Sequence, residues 1–226
     1  MSTDYGADNR HDDDLPSVDR LLALSDGVVA IALTLLVLQL AVPVIRDAGS
    51  PSSLAAALGG RGDRLTSYAI SFYVIAQFWL VHHKVYRRIV GQREGLAWWN
   101  FAFLFTITVM PFTSDLLGEY SENPLAVVIF AGNLLLATLA TQATVIYAKH
   151  ARLLAPAPAY GPQSERAGQL RALGTVLVVL ISIGLAWVNT DLAKYSWLLM
   201  ALVPALVERL VKPPPGAAES GPPAPA

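Results

Sequence analysis

The chain has 226 residues, of which 54% are hydrophobic and only 15% charged, a balance too apolar for a soluble domain and typical of a multi-pass membrane protein. The net charge of −1 argues against a nucleic-acid partner, and the lack of cysteine excludes disulfides, thiolate metal sites and cysteine nucleophiles. The acidic N-terminus has no basic segment of the kind that opens a cleaved signal peptide, so the first membrane helix is expected to serve as the insertion signal.

Six apolar stretches predict an all-α membrane protein with six transmembrane helices. The expected spans cover residues 18–42, 65–89, 95–117, 124–148, 170–188 and 192–210, with a short helix at 54–58 in the first loop. Pro111 is expected to kink the third span, and Pro204 lies inside the sixth. Residues 18–211 are expected to form the membrane domain, with disordered tails at 1–17 and 212–226.

Positive charge follows the second, fourth and sixth spans, whereas the turn after the third carries only acids. Because cytoplasmic loops of membrane proteins are enriched in Lys and Arg, both termini are expected in the cytoplasm.

The first span carries a polar cluster near its start, made of Arg20, Ser25 and Asp26. One interpretation is helix capping by Ser25 or Asp26. However, only 16 residues separate Gly27 from Val42, counting both, which is short for a span that needs about 20. The alternative is a helix that begins after Ser17 and holds the cluster in a buried polar network. Arg20 and Asp26 do not share a helix face, so each needs a partner on another helix or another subunit.

A second feature of this span is an aliphatic stripe. At about 100° per residue, one face of the helix contains Arg20, Leu24, Gly27, Ile31, Leu35, Leu38 and Val42. Such a stripe ordinarily faces lipid or the protein core. It can also line a narrow pore that controls ion flow by excluding water.

His82 and His83 lie at the end of the second span. Adjacent helical residues point about 100° apart, so the pair cannot hold one metal ion together, and neither metal nor haem is expected. One of the two, with Trp79, is expected to reach Asp26 or Asn100. The alternative is that both histidines simply lie at the membrane interface.

No sequence motif of an enzyme is present: the chain lacks a Gly-rich phosphate loop, GxSxG and HExxH. A proton-coupled secondary transporter that uses Asp26 and a histidine of the second span stays open as an alternative, because Pro111 and Pro204 interrupt helices. A membrane scaffold without transport is the other alternative.

Several segments resemble the endosomal and lysosomal potassium channel family, the transmembrane protein 175 family, in its bacterial form. They are R-x-x-x-L-S-D at 20–26, the apolar run DGVVAIALTLLVL at 26–38, FWLVHH at 78–83 and MPFTSDLLGEY at 110–120. The resemblance covers about 20–210, with Leu24 in place of the family's phenylalanine. It implies a potassium-preferring cation channel without a P-loop filter, in which the first helix of each subunit of a homotetramer lines a central pore.

The same resemblance assigns roles to individual residues. Ile31 matches the tightest constriction, Leu35 and Leu38 match the aliphatic rings that follow, and Thr34 matches the threonine beside the constriction. The signature polar network corresponds to Arg20, Ser25, Asp26, His82 or His83, and Asn100. The implied partners are further copies of the chain and the lipid bilayer of the cell membrane, with K+ as permeant ion and no cofactor.

Overall fold

The computed structural model describes residues 17–47, 49–155 and 162–211, and the side chains of all of these except 162–165. The predicted tails at 1–17 and 212–226 lie outside the described residues, apart from Ser17.

The described chain folds into eight α-helices and two short 3₁₀ turns. The helices are α1 Val18–Leu36, α2 Pro51–Gly59, α3 Gly62–Tyr86, α4 Glu94–Glu119, α5 Pro124–His150, α6 Pro162–Ala186, α7 Thr190–Ser196 and α8 Leu202–Val211. One 3₁₀ turn, Val37–Gln39, continues α1, and the other, Trp197–Ala201, joins α7 to α8.

Six segments are long and apolar enough to cross a membrane. They are Val18–Gln39, Gly62–Tyr86, Glu94–Glu119, Pro124–His150, Arg166–Ala186 and Thr190–Val211. The predicted all-α fold with six spans is therefore confirmed. The short helix predicted in the first loop is also present, as α2.

Local sequence explains where several helices begin. Ser17 accepts a hydrogen bond from the Arg20 backbone N–H at 3.4 Å, which confirms it as the N-cap of α1. Asn123 caps α5 through the Leu125 N–H at 2.9 Å, and Pro124 follows at the first helical position, where a missing N–H is harmless.

The helices pack around α4 and α5. α3 lies against α4, α1 lies against α3 and α4, and α6 packs on α5 and contacts α7 and α8. The largest side chains of the core are fully buried: Phe103, Ile107, Phe130, Leu134 and Trp197. α1 is held by one face only, formed by Leu21, Ser25, Val29, Ala32 and Leu36.

The first and sixth spans differ from the sequence prediction in their helical continuity, and the fifth begins earlier, with α6 starting at Pro162 and not at residue 170. The first helix was expected to reach Val42 but ends at Leu36, followed by one 3₁₀ turn to Gln39. Pro43 explains part of this, since a proline disfavours the helical conformation of the residue before it. The sixth span is two helices joined by a 3₁₀ turn, because Pro204 has no N–H to donate to the carbonyl of Met200. By contrast, α4 continues as one helix through Pro111.

The loops after α3 and α5 are paired with each other. Ala155 donates its backbone N–H to the carbonyl of Arg88 at 2.9 Å, and Val90 donates to the carbonyl of Leu153 at 2.9 Å, around a bridge between Ile89 and Leu154. The two loops therefore form one unit at this end of the bundle.

Arg152 ends α5 in a left-handed conformation, with φ of 57°. Leu153 N–H donates to Ala148 at 2.9 Å and Arg152 N–H to Lys149 at 3.2 Å, the bonding pattern of a helix end that usually carries glycine. We expect Arg152→Gly to raise the melting temperature of the purified protein by about 2 °C, because it removes left-handed strain of about 1–2 kcal/mol, which exceeds the entropy cost of glycine of about 0.5–1 kcal/mol. Ala143→Gly, inside α5, is the matched control and should lower it. A lower melting temperature for Arg152→Gly would contradict this account.

Candidate functional site

A buried polar network joins α1, α3 and α4 around Asn100, which is fully buried. Its Oδ1 lies 3.1 Å from Ser25 Oγ and 2.8 Å from His82 Nε2. Ser25 is fully buried too, and its hydroxyl donates to the carbonyl of Leu21 at 2.7 Å. Asn100 thus connects a residue of each neighbouring helix through one side-chain amide.

The amide of Asn100 has a second orientation that satisfies this network better. A hydroxyl has one hydrogen, and the nearer acceptor for Ser25 is the Leu21 carbonyl. With the amide rotated by 180°, its NH₂ group donates to both Ser25 Oγ and His82 Nε2. The carbonyl then occupies the position of Nδ2, which has no hydrogen-bond partner in the described chain. The lack of a partner is tolerated better at a buried carbonyl than at a buried N–H.

His82, and not His83, belongs to this network. The His82 ring is buried between two aromatic rings, with centroids 4.3 Å from Tyr86 and 4.5 Å from Phe103. His83 is half-buried with its ring 5.6 Å from that of Trp79, and its Nδ1 has no hydrogen-bond partner among the described residues.

Asp26 is held separately. Its Oδ1 accepts a hydrogen bond from Trp79 Nε1 at 2.7 Å, which links α1 to α3 next to the buried network. The Asp26 carboxylate is exposed, and neither histidine donates to it. Arg20 is exposed and its guanidinium forms no hydrogen bond or ion pair with the described residues. The structure therefore brings five of the groups predicted from the sequence together at one end of α1, without Arg20. They are Ser25, Asp26, Trp79, His82 and Asn100.

The aliphatic residues singled out in the sequence lie on the opposite face of α1. Ile31 is 60% exposed, Leu35 44% and Leu38 71%. Leu38 belongs to the 3₁₀ turn, in which residues three apart eclipse, so it stays above Leu35 although the α-helix has ended. Thr34 is exposed on the same side, and its hydroxyl donates to the carbonyl of Ile31 at 2.8 Å.

A second polar cluster, which was not predicted from the sequence, lies at the C-terminal end of α1. Gln39 Nε2 donates to the carbonyl of Pro111 at 2.5 Å, and Gln39 Oε1 accepts from Ser114 Oγ at 2.9 Å. Ser71 extends the cluster through its hydroxyl, 2.7 Å from that of Ser114. A lone amide at the end of a long apolar run was the signal in the sequence that could have indicated it.

In the described part of the chain, no three His, Asp or Glu side chains are grouped so that they could hold a metal ion. The site offers instead a polar anchoring face on α1 and an exposed aliphatic face.

Comparison with known proteins gives the site its context. The family model described as the endosomal/lysosomal potassium channel TMEM175 matches residues 20–111. A Streptomyces collinus protein named a potassium channel is 31% identical over 188 residues, which cover 81% of this chain and 89% of that protein. A Danio rerio protein named an endosomal/lysosomal proton channel is 27% identical over 132 residues, 58% of this chain but only 25% of that protein.

The fold also matches a solved structure. The crystal structure of a Chamaesiphon minutus protein, described as a homologue of the lysosomal potassium-selective channel TMEM175, superposes with a TM-score of 0.71 and 24% identity over 84% of this chain and 96% of that one. These relatives are named as ion channels and none as an enzyme. The match to the family model, the identity to the Streptomyces protein over nearly its whole length and the shared fold show that this chain belongs to the TMEM175 family of multi-pass membrane channels, as its first-helix motif predicted.

Proposed function

We propose that the protein is a homotetrameric cation channel that passes K+ in preference to Na+, with a pore lined by the α1 helices of its subunits. The observation that carries this proposal is the division of α1 into two faces. One face is bonded to α3 and α4 through Ser25 and Asp26, while the opposite face leaves Ile31 and Leu38 more than half exposed.

Several copies are needed because one lining helix cannot enclose a pathway. With α1 helices arranged around an axis, Ile31, Leu35 and Leu38 form successive aliphatic rings. Ile31 is the proposed constriction, where apolar walls resist wetting and so control ion flow. Thr34 has already donated its hydroxyl hydrogen to the Ile31 carbonyl, which leaves its oxygen lone pairs free to face a passing cation.

The buried network is proposed to hold α1 at a fixed rotation, so that these rings stay aligned. Asn100, Ser25 and His82 act on the buried side, and Trp79 fixes Asp26 beside them. Arg20 and His83 are proposed to complete the network from neighbouring subunits, since Arg20 pairs with no described side chain and His83 Nδ1 has no described partner.

The proposed location is the cell membrane, with residues 18–211 as the channel domain and both termini in the cytoplasm. The end of the bundle formed by the paired loops exposes Lys84, Arg87 and Arg93, whereas Glu119, the last residue of α4, and Glu122, in the α4–α5 turn, lie at the other end. This asymmetry supports the orientation, because positive loops stay on the cytoplasmic side.

The direct test is the current of the purified protein in a planar bilayer with KCl on one side and NaCl on the other. We expect the reversal potential to be shifted from zero toward the equilibrium potential of K+. The shift should change sign when the two solutions are exchanged. Light scattering of the same sample should give the mass of four chains plus detergent. An oligomeric, folded sample without current would contradict the channel proposal.

A second candidate is proton movement, either through the channel or in a proton-coupled secondary transporter. It is favoured by the naming of the Danio rerio relative and by the exposed carboxylate of Asp26. His82 bonds Asn100 and not Asp26, so a proton relay between the two needs a further group. A saturable flux driven by a pH gradient, abolished in Asp26→Asn, would favour the transporter over the channel.

A further inference from the structure

The cluster around Gln39 connects the C-terminal end of the first span to the second and third. Gln39 is half-buried and uses both ends of its amide, donating to Pro111 and accepting from Ser114. Ser114 and Ser71, which lie on α4 and α3, are fully buried and hydrogen bonded to each other. In a membrane no water replaces such bonds, so they hold the three segments together at this depth.

The backbone around Gln39 needs this support. The segment Val37–Gln39 is a single 3₁₀ turn, closed by the Leu40 N–H on the carbonyl of Val37 at 3.0 Å. Beyond it, the chain is held by guanidinium groups of α3 or its N-cap: Arg64 donates to the carbonyl of Gln39 at 3.3 Å, and Arg61 donates to that of Ala41. Arg64 is itself paired with Glu119 at the end of α4.

Gln39 is the immediate neighbour of Leu38, the most exposed of the three aliphatic residues on α1. In a 3₁₀ turn, adjacent side chains point about 120° apart. A Gln39 side chain fixed on α4 therefore determines the direction of Leu38, which lies beyond Leu36, the last fully buried residue of α1. The buried network at Ser25 cannot do this alone, because it lies 14 residues earlier, about 21 Å along the helix.

We propose that Gln39 is a positioning residue that sets the direction of Leu38 in the ion pathway and thereby the K+/Na+ permeability ratio. This inference rests on the proposed channel function. It assigns α1 two anchors: the Asn100 network at one end and the Gln39 amide, bonded to Pro111 and Ser114, at the other.

The test is Gln39→Leu, which keeps a similar volume and removes both hydrogen bonds. We expect the K+/Na+ permeability ratio from the bilayer reversal potential to change by about threefold or more, on the scale of one lost hydrogen bond. The matched control is Gln142→Leu on α5, since Gln142 is half-buried and forms no hydrogen bond with the described residues. This control should keep the wild-type ratio, and both variants should remain tetramers by light scattering.

A second variant covers the case in which Gln39→Leu does not fold. Ser114→Ala deletes one hydroxyl and leaves α4 otherwise unchanged, and it should shift the ratio in the same direction but less. In the double variant the two shifts should not add, because both act through the same bond. A wild-type ratio in both folded single variants, or in Ser114→Ala if Gln39→Leu does not fold, would overturn the inference while leaving the channel proposal intact. Absence of cation current in the wild-type protein would instead remove the channel proposal itself.

Discussion

Ile31→Asn is expected to increase the K+ current and to bring the permeabilities of K+ and Na+ closer together. The Ile31 side chain is 60% exposed, on the face of α1 opposite the one that packs against the other described helices. In the proposed tetramer four such side chains make an apolar ring that water leaves readily. Four amides would hold water in the ring, and a barrier lower by about 1.4 kcal/mol raises the current about tenfold.

The measurement is single-channel conductance and reversal potential under opposed K+ and Na+ gradients. Leu136→Asn is the matched control, because Leu136 is 56% exposed near the middle of α5, outside the proposed pore. It introduces the same amide at a similar depth and should conduct as the wild type does. A wild-type conductance and permeability ratio for Ile31→Asn would exclude this residue as the constriction.

Asn100→Ala is expected to have the largest effect on stability. The substitution leaves buried His82 without its hydrogen bond and removes one of the two contacts of Ser25. Each buried polar group without a partner costs about 1–3 kcal/mol, so the melting temperature should fall by about 5 °C or more. Because the Ser25–Asn100 bond between α1 and α4 is lost, the permeability ratio of the surviving channels should change as well.

Asn133→Ala separates these two effects. Asn133 is also a buried amide of the bundle, but its Nδ2 donates to the carbonyl of Thr106 at 3.0 Å, so its hydrogen bond joins α5 to α4 and not to α1. It should lower the melting temperature while keeping the wild-type permeability ratio. If Asn100→Ala instead melts and conducts like the wild type, the network does not hold the helix.

Sequence was sufficient for the spans because each is decided locally, by about 20 apolar residues ended by charge or by turn residues. It was not sufficient for the end of the first helix. Pro43 could be seen in the sequence, but the contact that holds Gln39 comes from Pro111, 72 residues further along the chain. The broken sixth span is an intermediate case, since Pro204 was visible but the length of the 3₁₀ turn depends on packing against α6.

The candidate site shows the same division. A helical period alone placed Ile31, Leu35 and Leu38 together and turned Asp26 away from them. The helical period could not predict which side chains form hydrogen bonds between helices, because these pairs depend on how α3 is rotated against α1. In the observed rotation, the indole of Trp79 donates a hydrogen bond to Asp26. His82 is hydrogen bonded to Asn100 and packs between the rings of Tyr86 and Phe103.

The bond between Ser25 and Asn100 spans 75 residues of sequence, and the bond between Asp26 and Trp79 spans 53. A ribosome adds about 5–20 residues per second, so Ser25 is made about 4–15 s before Asn100. The Ser25 hydroxyl has a hydrogen-bond acceptor before Asn100 is made, because it donates to the carbonyl of Leu21 within the same helix. Among the described residues, Asp26 has no hydrogen-bond donor within α1, so its carboxylate lacks the bond it has in the folded protein until Trp79 is made and α3 packs against α1.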